Sequence, residues 1–328
     1  MLSPEARCSF CGREAIARIA YAKLLLCEEH YIEYIKNKVK RTILRYNLAK
    51  HGDKILLAVS GGKDSLTLLD IMYTLSQEMR FSIAVLHIDL GIEGYSEQLK
   101  HSVESYTRKL GIPLVTLSLR EILGVTLPQL SKKSRRPPCS VCGIIKRYLM
   151  NACAIESGAT AIATGHTADD VIAYAIKAFL LQDYSSLSKL VPKTRALIGA
   201  VSRIRPLYEV YERETLLYSV LKKLPFHHGM CPYVVKNSLE RYIKKFFNQL
   251  EELFPSTKIS FLRRLANRAE TLTVIDTERE SVRTCSVCGL IASGHKCSFC
   301  KVTENAVGTP LGRVVREYLS SIVREIWS

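Results

Sequence analysis

The chain has 328 residues, 47% of them hydrophobic, so it can bury a large core and should form one main domain with small appendages. Lys and Arg number 47 against 31 Asp and Glu, and the formal net charge of +16 favours a polyanionic partner. No stretch has the length and apolarity of a membrane span, and the N-terminus lacks a signal-peptide pattern. We therefore expect a cytoplasmic protein without membrane contact, in which eleven cysteines indicate metal sites before disulfides.

The first predicted element is a metal site near the N-terminus. Cys8 and Cys11 are followed, after fifteen intervening residues, by Cys27 and His30. Two such pairs can bring four ligands to one tetrahedral ion, and thiolates with an imidazole suit structural Zn²⁺. We predict an N-terminal zinc finger over residues 1–35. Because four protein ligands leave no open position, this site should brace the fold or contact RNA or a partner.

A buried apolar strand then leads into the sequence Ser-Gly-Gly-Lys-Asp-Ser, residues 60–65. It fails as a Walker A loop, because Leu57 occupies the first glycine position and Asp64 replaces the Ser or Thr after the lysine. Backbone N–H groups of the turn, the N-terminus of a helix beginning near Ser65 and the charge of Lys63 can still cradle phosphate. Asp64 would repel bare phosphate, so it makes sense as a ligand of Mg²⁺ or water. The alternative is a glycine turn that only joins strand to helix.

Two further strands end in polar residues. One ends in His87-Ile88-Asp89, and the other enters the turn Gly165-His166, after which Asp169 and Asp170 open a helix. Strands alternating with helices predict an α/β fold with a doubly wound parallel sheet, whose ligands bind at the carboxyl ends of the strands. The three turns should therefore share one rim and form a nucleotide pocket. Taken singly, His166 is more often a turn residue and an Asp pair more often a helix N-cap.

A third cysteine set is incomplete. Cys139 and Cys142 have no second pair, but Cys231 lies in a loop between glycine and proline and can join them, whereas Cys153 in an apolar helical run is expected to be a core thiol. Three thiolates leave one coordination position free, which suits a [4Fe–4S] cluster with one iron that the protein does not ligate. A third zinc, or a redox pair that carries sulfur as a persulfide, are the alternatives.

The C-terminal region carries a complete set again. Eight residues separate the pair Cys285 and Cys288 from the pair Cys297 and Cys300, the pattern of a four-thiolate zinc ribbon, which we place at residues 271–305. The remaining residues, 306–328, are predicted to form an amphipathic helix that packs on the protein.

Positive charge is concentrated in stretches without acidic residues, which predicts nucleic-acid binding. These stretches are residues 36–50, 122–155 and 184–208.

The loop at residues 60–65 resembles the SGGKDS loop of the PP-loop, or N-type, ATP pyrophosphatases, which split ATP between its α- and β-phosphates. With three cysteine sets around it, the chain resembles the TtuA/TtcA family of tRNA 2-thiolation enzymes, and most closely the TtuA type. That type carries zinc fingers on both sides of a PP-loop domain, which would here span residues 36–270. The resemblance covers about residues 8–300.

The resemblance implies roles for individual residues. The three cluster ligands fall on Cys139, Cys142 and Cys231, and Lys146 and Asp170 are the further catalytic candidates, with Lys63 on the pyrophosphate. The implied nucleotide-binding residues are Ala58, Ser60, Gly61, Gly62, Lys63, Asp64, Ser65, His87, Ile88, Lys146, Gly165, His166 and Asp170. The family's turn motif departs here at Thr167, in place of Asn, and at Val171, in place of an acidic residue, so these two positions are not assigned the family roles.

The implied reaction is adenylation of a uridine O2 in tRNA, then attack at C2 by sulfide held at the open iron, to give 2-thiouridine, AMP and pyrophosphate. The implied cofactors are ATP, Mg²⁺, two Zn²⁺ and a [4Fe–4S] cluster. The implied partners are tRNA, a ubiquitin-like thiocarboxylated carrier or a sulfide donor, and a second copy of the chain in a homodimer. The modified position, the T-loop or the wobble uridine, stays open. A different PP-loop adenylating enzyme, or a non-catalytic zinc-finger RNA-binding protein, are the alternatives.

Overall fold

The computed structural model of the chain describes residues 5–274 and 283–327, without the side chains of 269–274. Parts of the two predicted finger domains, residues 1–4 and 275–282, therefore lie outside the described residues. The strands are β1 (Ala17–Ile19), β2 (Leu24–Leu26), β3 (Lys54–Ala58), β4 (Ser82–Asp89), β5 (Leu114–Ser118), β6 (Ala161–Thr164), β7 (Ser202–Ile204), β8 (Arg283–Thr284) and β9 (Ile291–Ala292).

The described helices surround these strands, and none of them is long and apolar enough to cross a bilayer. They are α1 (Glu28–Arg45), α2 (Lys63–Met79), α3 (Ser96–Leu110), α4 (Leu119–Leu123), α5 (Leu127–Ser134), α6 (Pro138–Glu156), α7 (Ala168–Leu180), α8 (Tyr184–Ser188), α9 (Glu212–Leu221), α10 (Leu239–Leu253), α11 (Thr257–Val274), α12 (Ser298–Val307) and α13 (Gly312–Val323).

The central sheet has five parallel strands in the order β5-β4-β3-β6-β7, so the predicted α/β doubly wound parallel sheet is confirmed. The strand order reverses at β3, which pairs with β4 on one side and β6 on the other. At this point Ala58 lies opposite Leu86 and Thr164. In open parallel sheets, such a reversal of strand order is the place where ligands bind, beyond the carboxyl ends of the two strands.

Hydrophobic residues fill both faces of the sheet. Along β3, Leu56 points into one core while Ile55 and Leu57 point into the other, as the two-residue period of a strand requires. The first core takes in α6, the C-terminal cysteine set and α13. The second takes in α1, α2 and the β1–β2 hairpin, so the two cysteine-rich modules pack on opposite faces of one sheet.

Both modules are continuous with the main fold. Cys27 is the N-cap of α1, which runs from the N-terminal module across the predicted 35/36 boundary. On the other face, the ring of Phe299 stacks on Tyr148 of α6 with centroids 3.7 Å apart. The Trp327 indole N–H donates to the Ser157 carbonyl at 2.6 Å, which fastens the end of the chain to the end of α6.

Candidate active site

The loop after β3 is held by its two serines. The Ser60 N–H donates to Ser65 Oγ at 3.2 Å, and the Ser65 hydroxyl donates to the Gly62 carbonyl at 2.9 Å. Gly62 is extended and serves as the N-cap of α2, so the helix begins at Lys63, two residues earlier than predicted. Within the described chain, the N–H groups of Gly61 and Gly62 have no hydrogen-bond partner. They lie at a helix N-terminus, the arrangement that binds anions.

Two glycines let neighbouring elements approach this loop. Gly61 has φ +89°, and a Cβ there would lie 2.7 Å from the Leu99 carbonyl oxygen of α3. Gly165, after β6, would place a Cβ 3.1 Å from the backbone nitrogen of Ser65. The turns after β3 and β6 therefore meet at the strand-order reversal, as the sequence predicts for a shared rim.

A chain of alternating charges crosses the rim. Lys63 Nζ lies 2.8 Å from Asp64 Oδ2 and 3.0 Å from Glu212 Oε1. The other Glu212 oxygen lies 2.9 Å from Lys244 Nζ, which lies 2.6 Å from Asp170 Oδ1. Sequence reasoning identified Lys63, Asp64 and Asp170 but missed Glu212 and Lys244. They belong to α9 and α10, and no motif marks them.

Burial and pairing act in opposite directions on these carboxylates. Burial raises the pKa of Asp64, since the charges of Lys63 and its hydrogen bonds offset the loss of solvation only in part. For Asp170, burial also favours the neutral acid, but the charge and hydrogen bond of Lys244 outweigh it and hold the pKa below its usual value. Asp170 therefore stays ionised at neutral pH.

Asp170 also has a structural task. The Thr167 N–H donates to its Oδ2 at 2.9 Å, and Thr167 is the N-cap of α7, so the two residues form a capping box. Asp170 therefore helps to cap α7, a role that the sequence also predicts for this Asp pair. Thr167 fills the family's Asn position as a cap, while Val171 is 1% exposed and belongs to the core. His166 Nδ1 lies 2.8 Å from Thr164 Oγ1 in the same turn.

His87 and Lys146 lie behind the loop. His87 Nδ1 is 2.9 Å from the Val59 carbonyl, which can only accept, so this nitrogen carries the proton. The other nitrogen, Nε2, is buried without a hydrogen-bond partner among the described residues. Burial lowers the pKa of His87, and the nearby charge of Lys146 adds to the effect. Ala58 and Ile88, also predicted to bind nucleotide, lie half-buried at the carboxyl ends of β3 and β4.

The three unpaired cysteines lie at the same edge. Cys139 and Cys142 are one turn apart in the first turns of α6, and the Cys139 thiol donates to the Tyr233 carbonyl at 3.1 Å, two residues after Cys231. Burial raises the pKa of Cys142, and thiolates at Cys231 and Cys139 would raise it further.

The segment before Cys231 links the thiols to the loop, since the His227 N–H donates to the Gly61 carbonyl at 3.3 Å. Cys153, by contrast, is a fully buried core thiol, as predicted, and burial raises its pKa to about 12.

The two four-ligand sets converge as the spacing predicts. In each set the ligand atoms all lie within 4.8 Å of one another. Cys11 and Cys27 sulfurs are 3.7 Å apart, and Cys288 and Cys297 sulfurs 3.8 Å. A tetrahedral ion with Zn–S bonds of about 2.3 Å separates its sulfurs by about 3.8 Å. His30 completes the first set through Nδ1, 3.6 Å from the Cys8 sulfur. The second set is completed by Cys285 and Cys300.

Similarity to known proteins agrees with this site. A family model described as a PP-loop domain matches residues 33–230, and one described as the N-terminal LIM domain of the 2-thiouridine synthetase TtuA matches residues 7–32. The tRNA-5-methyluridine(54) 2-sulfurtransferase of Pyrococcus horikoshii is 38% identical, over 90% of this chain and 93% of that protein. The protein of the same name from Thermus thermophilus is 33% identical, over 90% and 91%.

Two further relatives are more distant. Cytoplasmic tRNA 2-thiolation protein 1 of Xenopus laevis is 30% identical, over 91% of this chain and 87% of that protein. The solved structure of the U34-tRNA thiolase NcsA from Methanococcus maripaludis with its [4Fe-4S] cluster has a TM-score of 0.75 at 26% identity, and covers 93% of this chain and 96% of that one. The chain therefore belongs to the TtuA-type family of PP-loop 2-thiouridine synthetases.

Proposed function

We propose that this chain is an ATP-dependent tRNA uridine 2-sulfurtransferase. The observation that carries the proposal is the meeting, at one sheet edge, of a PP-loop, an ionised Asp170 and three cysteines outside the zinc-like sets. Proteins named as 2-sulfurtransferases are similar to this chain over about nine-tenths of their length. The other PP-loop adenylating enzymes considered have no use for three thiolates.

ATP is proposed to bind with its pyrophosphate on the loop. The free N–H groups of Gly61 and Gly62, the N-terminus of α2 and the ammonium of Lys63 supply positive potential there. Mg²⁺ suits Asp64, whose carboxylate lies in the first turn of α2 beside Lys63. The Ser60–Ser65 hydrogen bond fixes the loop, so the cradle needs little reorganisation when phosphate arrives.

Cys139, Cys142 and Cys231 would hold a [4Fe–4S] cluster. Their donor set fits: two thiols lie in the first turns of α6 and a third, Cys231, on a neighbouring loop, with Lys146 and Arg147 one turn further along α6 to favour thiolates. Among the described residues they are not a set whose sulfurs all lie within 4.8 Å, as the ligands of a single ion do. Such a group, when bound, supplies an iron position without a protein ligand at which sulfide can be held.

The first chemical step forms a bond between the uridine O2 and the α-phosphorus, and breaks the bond from that phosphorus to the pyrophosphate. Lys146 would offset the negative charge that develops on the phosphate. The uridine N3 proton must leave as O2 is phosphorylated, and Asp170, ionised beside Lys244, is the proposed acceptor. In the second step hydrosulfide adds at C2, and the C2–O bond breaks to release AMP with the former O2.

The tRNA is proposed to bind across the basic stretches, with the target base turned out of its stack. Relatives named for position 54 are 38%, 33% and 31% identical to this chain, and those named cytoplasmic tRNA 2-thiolation protein 1 are 28–31% identical, so the highest identities are to position-54 enzymes. We therefore infer that the target is the T-loop uridine. A thiocarboxylated ubiquitin-like carrier or free sulfide is the proposed sulfur source, and a cytoplasmic homodimer the proposed assembly.

The test combines product analysis with two variants. Anaerobically prepared enzyme is given tRNA, ATP and sulfide, and 2-thiouridine, AMP and pyrophosphate are counted. One AMP per 2-thiouridine is expected, mapped to position 54 by mass spectrometry of nuclease fragments. Lys146→Met and Asp170→Asn should each lower the rate by about 100-fold or more, whereas Lys109→Met, at the opposite sheet edge, should not. Thiolation without AMP, or AMP without thiolation, would contradict the proposal.

A further inference from the structure

Glu212 and Lys244 are the two members of the charge chain that no motif marks. Glu212 is the first residue of α9, and Lys244 projects from α10, beyond the part of the chain that matches the PP-loop model. Together they connect the first turn of α7 to the first turn of α2. The sequence of groups is Asp170, Lys244, Glu212, Lys63 and Asp64.

Within this row of charged side chains, Glu212 is held by contacts on more than one side. The Glu212 N–H donates to Asp169 Oδ2 at 2.7 Å, and Asp169 is itself paired with the fully buried Lys258 at 2.5 Å. The Thr215 hydroxyl lies 2.9 Å from the Glu212 carbonyl and within hydrogen-bond reach of the Asp64 carboxylate. Glu212 is therefore held at its backbone while both of its carboxylate oxygens bind lysines.

The net charge of these five side chains determines how removing one of them should change nucleotide affinity. Three carboxylates and two ammonium groups give it a formal net charge of −1, and its side chains are only 21–39% exposed. At this exposure the charges are screened less than on an open surface. Without Lys244 the net charge becomes −2 beside a proposed polyphosphate site. Without the Glu212 charge it becomes zero, but Lys63 loses the partner that aims it.

We propose that Glu212 and Lys244 are positioning residues of the ATP site: Glu212 aims Lys63 at the pyrophosphate, and Lys244 holds Glu212 and Asp170 while it neutralises them. This inference rests on the proposed function, because it takes the loop as the ATP cradle. It predicts opposite effects of the two residues on nucleotide affinity, which a merely structural role of either would not give.

The test uses the complete enzyme and a nucleotide that the reaction cannot split, α,β-methylene ATP. Its Kd should rise about tenfold in Lys244→Gln and should fall in Glu212→Gln, where the loss of a negative charge beside the polyphosphate outweighs the looser position of Lys63. In the double variant, where the net charge returns to −1, the Kd should return toward the wild-type value. With ATP as substrate, Glu212→Gln should lower kcat about 10- to 100-fold without raising KM, and Lys244→Arg should restore most of the loss in Lys244→Gln.

Lys177→Gln is the matched control. It removes the 2.6 Å ion pair between Lys177 of α7 and Glu240 of α10, which also ties these helices together but lies outside the charge chain. Its Kd and kcat should stay within about twofold of the wild type. Two results would overturn the inference. One is an equal change of Kd in Lys177→Gln and Lys244→Gln. The other is a change of Kd in the same direction in Glu212→Gln and Lys244→Gln. Should the wild type release no AMP, the proposed function fails, while the Kd values still decide this inference.

Discussion

The imidazole of His87 lies 2% exposed at the carboxyl end of β4, with Nδ1 bound to Val59 and Nε2 without a partner in the described chain. A buried polar nitrogen without a hydrogen bond is costly, so His87 is held there at the expense of stability. In its neutral form Nε2 offers a lone pair, and the charge of Lys146 helps to keep the ring neutral by lowering its pKa.

His87 should make stability depend on pH. Burial lowers its pKa from 6.5, so the unfolded chain binds the proton at a higher pH than the folded chain. The stability that comes from neutral His87 is complete above 6.5 and is lost as pH falls from there toward the folded pKa, by at most about 1.4 kcal/mol per pH unit. Urea unfolding at about pH 7.5 and about pH 5.5 should show a smaller loss in His87→Gln than in the wild type. Equal losses in both proteins would contradict this.

Among elements, the loop between β3 and α2 has little room for a side chain at one of its two glycines. A Cβ at Gly61 would meet the Leu99 carbonyl at 2.7 Å, and φ +89° is a conformation that disfavours any side chain. At Gly62 the nearest atom to a Cβ is the Ser60 hydroxyl oxygen, at 3.8 Å. Only Gly61 of the two neighbouring glycines therefore lacks space for a side chain, a difference that the sequence motif does not reveal.

Gly61→Ala should lower the free energy of unfolding by about 2 kcal/mol or more, because α3 must move or the loop must strain. It should also weaken ATP binding, since the N–H groups of the cradle move with the loop. Gly62→Ala provides the control, with a loss of about 1 kcal/mol or less. Thermal unfolding and nucleotide binding are measured for both variants. A larger loss of stability in Gly62→Ala than in Gly61→Ala would show that the contact with α3 does not constrain the loop.

The part of this site that follows strands is predictable from the sequence, whereas the part on packed helices is not. Residues 60–65 and 165–170 were predicted to share a rim because each follows a strand, and strand ends meet by topology alone. Lys244 is carried by an amphipathic helix whose register on α7 depends on packing, so no spacing in the sequence brings it to Asp170. The start of α2 was placed two residues late, because the extended Gly62 leaves no side-chain cap to recognise.

The whole molecule carries its charge unevenly. Lys132, Lys133, Arg135 and Arg136 are exposed at the end of α5, immediately before the helix that presents Cys139. A polyanion bound there would lie beside the three cysteines. Arg108 and Lys109, equally exposed at the end of α3, lie at the opposite edge of the sheet, where β5 begins.

Charge reversal at these two places should separate specific from general attraction. Lys132→Glu with Lys133→Glu should weaken tRNA binding about tenfold or more and lower the slope of log Kd against log salt by about 1–2. Arg108→Glu with Lys109→Glu changes the net charge by the same amount, and its Kd for tRNA should stay within about twofold of the wild-type value. Filter binding over a salt series measures both, and equal losses would mean that the net charge alone attracts tRNA.

The three cysteines outside the two zinc-like sets are central to the proposed sulfur transfer. Metal and acid-labile sulfide analysis after anaerobic purification tests it directly, on the wild type, Cys231→Ser and the core-thiol control Cys153→Ala. We predict about four iron and four sulfide per chain with two zinc, and loss of the iron and sulfide but not the zinc in Cys231→Ser. Cys153→Ala should keep all three. Two zinc without iron in the wild type, even after anaerobic reconstitution, would contradict the cluster and leave Cys139 and Cys142 as a persulfide or redox pair.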